Sequence, residues 1–179
     1  MGIIIDNLKD VNVIFNMYKN DRFLNLKSLI NRGLNIYIFF VDYHKEIESS
    51  VQMSLPLWVN AITIDNYIVI KRYKFEFYKE IDNFYSVLLH EIVHAFINKI
   101  SNNKCPTWIN EGLAVILSGQ YLNMNLRNYD NININELSFE DDLFYEKCCY
   151  YTLKLLKNKK LDNLLKDLER GEFYESFNI

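Results

Sequence analysis

The stretch Leu88-Leu89-His90-Glu91-Ile92-Val93-His94-Ala95-Phe96-Ile97 decides how this chain is read. Its flanks and its two middle residues are apolar, as a helix crossing a domain core requires. His90 and His94 are four apart, one helical turn, so both imidazoles lie on one face and can reach a single metal ion. Glu91 sits beside them, placed to touch a metal-bound water without ligating the metal. Two of the three histidines in the chain fall in this pentad. Downstream, Trp108-Ile109-Asn110-Glu111-Gly112-Leu113-Ala114 offers a carboxylate, Glu111, as a third ligand. Sixteen residues separate His94 from Glu111, room for one helix to end and a second to begin. Two neutral nitrogens, one carboxylate and an open position make the donor set of a catalytic zinc site. The competing structural reading is a buried helix whose histidines make ordinary hydrogen bonds, with Glu111 nearby by coincidence.

Working outward, apolar spacing at Val13, Ile14, Met17 and Tyr18, then Leu24, Leu26, Leu29 and Ile30, predicts one or two amphipathic helices stopped at Gly33. Asn35–Val41 is a β-branched and aromatic run of strand length. Asp42 is the expected N-cap of a helix from Tyr43 to about Met53, ended by Pro56. Two short strands are expected at 57–63 and 67–72, joined by the Asp65-Asn66 turn. The metal helix spans 80–100, a loop covers 101–105, and Pro106 opens the Glu111 helix. The Asn-rich segment 120–137 reads as a long surface loop. Ser138 and Asp141 are a capping signal for a helix from about 139 to 157, and Leu161, Leu164, Leu165 and Leu168 mark a last amphipathic helix. The fold class is therefore α+β, mainly helical, with a small sheet beside the 80–100 helix. The simplest organisation for 179 residues is one domain, 1–179, with 1–33 as an N-terminal helical segment.

Composition narrows the function. The net charge of −3 leaves no basic footprint, which argues against nucleic acid as a partner. No run approaches the roughly 20 apolar residues of a membrane span. The start, Met1-Gly2-Ile3-Ile4-Ile5-Asp6, lacks a basic region, its apolar stretch is too short for a signal peptide, and it does not match a myristoylation pattern. Three cysteines, Cys105 and the adjacent pair Cys148 and Cys149, make a poor disulfide framework. Reduced thiols and a cytoplasmic location are the expectation. Cys148 and Cys149 are read as helix residues rather than metal ligands, and His44 as a helix-start surface residue, not a ligand.

The two motifs together, LLHEIVHAF and TWINEGLAVILSG, resemble the gluzincin metallopeptidases, most closely the compact peptidase MA-like domains. The resemblance extends at the level of pattern over about 35–177, through Pro56–Thr63 and Tyr67–Ile70, then Tyr150–Leu156 and Lys160–Leu165, to the tail Glu172–Phe177. It implies a zincin-like domain with a small mixed sheet packed beside the H-E-x-x-H helix, and Zn2+ held by His90, His94 and Glu111. It also implies Glu91 as catalytic base, and a tyrosine hydroxyl as donor to the developing oxyanion. Tyr150 best matches that position, with Tyr151 and Tyr145 as alternatives. Trp58, Val59, Asn60 and Ala61 resemble the edge strand on which a peptide or protein substrate pairs its backbone. Two departures matter. No G-x-M-E-N segment precedes His90, so aminopeptidase activity is not supported. Val115 stands where thermolysin-like members carry an aspartate that orients a histidine. The expected function is a zinc-dependent peptidase, an endopeptidase in type. The alternatives are a catalytically weak gluzincin-like module that binds or senses peptides, and a metal-free helical interaction domain.

Overall fold

The β-branched run at 35–41 forms strand β2 (Asn35–Val41), and its alternation decides which face of the sheet is buried. The structure, a computed structural model, describes residues 1–30, 33–130 and 132–172. Strand β1 (Gly2–Ile5) pairs parallel with β2, and helices α1 (Val11–Met17) and α2 (Asp21–Ile30) connect them. Helix α3 (His44–Val51) follows β2. Strand β3 (Ala61–Ile64) and strand β4 (Tyr67–Lys71) form an antiparallel hairpin, and β4 also pairs parallel with β2. The sheet order is β1-β2-β4-β3, a mixed sheet with β3 at one edge. A short helix α4 (Phe75–Tyr78) leads into the long helix α5 (Ile81–Ser101). Helices α6 (Thr107–Ser118), α7 (Phe144–Asn158) and α8 (Leu161–Arg170) complete an α+β fold dominated by helix. The chain groups into two compact units, Met1–Phe96 and Ile97–Ile179.

In the first unit, Ile36, Ile38 and Phe40 of β2 share a face with Ile68 and Ile70 of β4, and all five are buried. The rings of Phe40 and Phe84 stack at 6.4 Å, so this face carries α5. On the opposite face Tyr37 stacks on Tyr67 at 5.0 Å. Arg72 closes the end of the sheet. It donates to Asp10 at 2.9 and 3.0 Å, to Asp42 at 2.8 Å and to the carbonyl of Phe40 at 3.2 Å. In the second unit, α6 and α7 meet at Gly112, where a Cβ would lie 2.5 Å from the Cys148 carbonyl oxygen and 2.0 Å from Thr152 Oγ1. Only a residue without a side chain lets the two backbones approach this closely.

Several boundaries differ from the sequence reading. Strand β1 was not anticipated; its partner lies more than thirty residues further along the chain. The expected strand 57–63 begins only at Ala61. Val59 N–H bonds back to the Pro56 carbonyl at 3.0 Å, making 56–59 a turn, and β4 ends at Lys71 with no residues left for 57–59 to pair with. Trp58, Val59 and Asn60 are therefore not strand residues; of the four expected there, only Ala61 lies on β3. Helix α3 starts at His44 and ends before Gln52, which adopts φ 55°. Asp42 does not cap it, because its carboxylate is bonded to Arg72; Glu46 reaches back to the N–H groups of Asp42 and Tyr43 at 2.9 and 2.7 Å. The helix expected from 139 begins at Phe144. Asp141 accepts from the Ser138 N–H at 2.7 Å and closes a separate turn, and Leu143 at φ 60° breaks any continuation into α7. The tail residues 173–177 lie outside the described residues. Among the described residues, no helix is long and apolar enough to cross a membrane.

Candidate metal centre

Helix α5 is apolar on nearly every side, and Leu88, Leu89, Ile92, Val93, Ala95 and Phe96 are all buried. Within that surround, two imidazoles project one turn apart. Their Nε2 atoms lie 2.9 Å from each other, and the rings are nearly perpendicular at 82°. Both rings thus aim the same nitrogen at one point. Two nitrogens at about 2.0–2.1 Å from a tetrahedral zinc ion would stand about 3.3 Å apart, so the pair needs to open by only a few tenths of an ångström. The ligating atoms of His90, His94 and Glu111 all lie within 4.8 Å of one another, a group able to hold a metal ion. His90 and Glu111 are buried and His94 half-buried. Imidazole nitrogen with a carboxylate suits zinc and its first-row neighbours.

Local contacts hold Glu111 on α6. Asn110 donates from Nδ2 to Asn98 Oδ1 at 2.9 Å, and Asn98 is the residue one turn beyond His94 on α5. Glu111 is followed by Gly112, pressed against α7. Burial pushes the Cys148 thiol up to about 12, with the Glu111 charge adding to the effect. Burial likewise pushes Cys149 up to about 11, with Glu146 contributing. Both thiols are buried and free, as core positions of α7.

Glu91 is almost fully buried, at 8% exposure. Its carboxylate Oε2 accepts a hydrogen bond from Thr63 Oγ1 at 2.6 Å, and the same hydroxyl lies 3.1 Å from the Glu91 carbonyl oxygen. Burial, and then the Glu91 charge, raise the pKa of Tyr78, whose hydroxyl donates to the Lys71 carbonyl at 2.7 Å. Of the expected substrate residues, Trp58 is 58% exposed in the turn before β3. The Asn60 side chain is committed to the scaffold, bonded to Lys71 Nζ at 3.1 Å and to the Phe77 carbonyl at 3.4 Å.

On α7, Tyr150 donates to Asp130 Oδ1 at 2.8 Å and to Asn128 Oδ1 at 3.0 Å, and the bond to Asp130 raises its pKa. Tyr151 is buried, with its hydroxyl on the backbone carbonyls of Tyr129 and Ile132 at 2.5 and 3.0 Å. Tyr145 meets Phe144 edge to face, with ring centroids 5.3 Å apart. His44 opens α3 and places Nε2 3.0 Å from the Leu55 carbonyl oxygen, a structural contact. Sequence reasoning missed Thr63, Asn98 and Asn110. The one available signal was the asparagine one turn after His94 and another beside Glu111. Comparison with known protein families, with curated proteins and with solved structures finds no match.

Proposed function

We propose that this protein is a zinc-dependent peptidase of the gluzincin kind that its two motifs resemble, acting on peptide bonds within a peptide or protein chain. The observation that carries the reading is the convergence of the His90, His94 and Glu111 ligating atoms, with Glu91, next to His90 in the chain, holding its carboxylate on the Thr63 hydroxyl. His90, His94 and Glu111 would hold a zinc ion, which would supply a Lewis acid and lower the pKa of a bound water to roughly 7. Glu91 would serve as the general base, taking a proton from an attacking water and returning it to the leaving amine nitrogen. The buried surround of α5 excludes bulk water from Glu91 and strengthens its interactions. Strand β3, at the sheet edge, offers its outer backbone to an extended substrate, and Trp58 offers an exposed ring beside it. Tyr150 is the donor proposed for the negative charge that develops on the carbonyl oxygen.

A second reading, a peptide-binding or sensing module with little turnover, draws on one observation: the Tyr150 hydroxyl is engaged by Asp130 and Asn128. The deciding experiment combines elemental analysis of the purified protein with cleavage of a peptide library by wild type and by Glu91→Gln. Near-stoichiometric zinc, with cleavage that Glu91→Gln abolishes, is the expected result. Zinc without cleavage favours the binding module, and no zinc, with none recovered on reconstitution, removes both readings.

A further inference from the structure

Thr63 has one hydroxyl proton and two acceptors, both on Glu91. The 2.6 Å contact to the carboxylate is in the range of a charge-assisted O–H···O⁻ bond and takes the proton; the carbonyl at 3.1 Å is the weaker acceptor. Thr63 stands opposite Ile68 in the β3–β4 ladder, so it projects from the buried face, the face that carries α5. A residue serving only to pack there would be valine or isoleucine like its neighbours. A hydroxyl is required only because the residue it meets is a buried carboxylate. Being β-branched, threonine is also stiff at χ1, so its oxygen is held where the strand puts it.

We propose that Thr63 is a positioning residue for Glu91, a role that rests on the peptidase reading above. Its hydroxyl holds Oε2 and so assigns Oε1 to the attacking water. Because the same side chain also touches the Glu91 backbone, the carboxylate's orientation is referred to the edge strand on which a substrate would lie. Base and substrate then share one frame.

The test uses the full chain loaded with zinc, and Thr63→Val and Thr63→Ser beside wild type. Thr63→Val keeps the shape and removes the hydroxyl. Its kcat is expected to fall about 10–100-fold, the effect of one charged hydrogen bond, with KM and zinc content within about twofold. Thr63→Ser is expected to recover kcat to within about threefold of wild type. Crystal structures supply a readout independent of turnover: in Thr63→Val the Glu91 carboxylate should leave its wild-type rotamer while His90, His94 and Glu111 stay in place. If Thr63→Val does not fold, Thr63→Ala removes the same hydroxyl and is read the same way. An active wild type matched by Thr63→Val, a serine variant as impaired as valine, or an unmoved Glu91 carboxylate overturns the positioning role alone. A zinc-loaded wild type inert towards the library overturns that role and the peptidase reading together.

Discussion

Replacing Gly112 by alanine should unseat α6 from α7. The added methyl would lie 2.0 Å from Thr152 Oγ1 and 2.5 Å from the Cys148 carbonyl oxygen. Thr152 can rotate away, losing its 3.4 Å contact with the Trp108 carbonyl. The Cys148 oxygen is backbone and cannot. Restoring ordinary contact requires α7 to retreat by roughly 1 Å over a close-packed crossing. Overpacking of this kind costs about 1–3 kcal/mol, and a backbone clash belongs at the upper end. Against that, alanine gains about 1 kcal/mol over glycine in a helix interior. The net expectation is a loss of about 2 kcal/mol, which for a chain of this size lowers Tm by about 4–8 °C. Thermal unfolding by circular dichroism measures it. Thr152→Ala in the Gly112→Ala background removes the shorter clash but leaves the carbonyl, so it should recover only part of the loss. An unchanged or raised Tm in Gly112→Ala, or full recovery in the double variant, would refute the close crossing. Since Glu111 is the preceding residue, Gly112→Ala should also weaken zinc binding, measurable by competition with a chelator.

Other outcomes follow from the same geometry. His94→Ala should abolish stoichiometric zinc in elemental analysis while the far-ultraviolet dichroism stays close to that of wild type. Tyr150→Phe should lower kcat by about 10²–10³, the range for losing one oxyanion donor, with zinc retained; an unchanged kcat excludes Tyr150 from that role. Arg72→Met strands the buried Asp10 carboxylate and should cost about 3 kcal/mol in urea denaturation, the low end for a broken buried pair because Arg72 is partly exposed. The Arg72 guanidinium holds the Asp42 carboxyl below its ordinary 3.8. A depressed folded-state pKa stabilises above the unfolded value and is lost as pH falls through the folded one, so the deficit of Asp42→Asn seen at neutral pH should vanish in acid. A deficit equal at both pH values would contradict the Arg72–Asp42 pairing.

Much of the architecture was legible where local pattern and final environment agree. The run 35–41 is a strand over the expected residues because alternate positions are buried in a sheet, and its β-branched and aromatic side chains suit both faces. Helix α5 follows from an apolar run too long for a strand. The failures lie where the deciding partner is distant. Nothing within Gly2–Ile5 announces a parallel pairing to Asn35–Ile38. Residues 57–59 lie beyond the end of β4, which at Lys71 reaches only as far as the Asn60 carbonyl, so they have no ladder to join. The Ser138 and Asp141 signal is a real turn motif, yet it closes on itself before α7 begins. In the candidate site, spacing along one helix revealed His90, Glu91 and His94, because helical periodicity is a local property. Thr63 could not be read that way, since its contact with Glu91 crosses 28 positions and exists only after β3 docks on α5.

The strand order β1-β2-β4-β3 also sets a timetable for synthesis. The β3–β4 hairpin is joined by two residues and can form within microseconds of leaving the ribosome. The two parallel pairings cannot, because each waits for a crossover to close: β1 is made before β2 and has no partner until residues 35–38 follow, and β2 lacks its second neighbour until residues 67–71 follow. Until residues 35–38 are made, Ile3-Ile4-Ile5 is an unpaired apolar segment, the kind that chaperones bind and that associates with other chains. Pairing with residues 35–38 relieves it, and Arg72, one residue past β4, then fastens Asp10 and Asp42 at the end of the completed sheet.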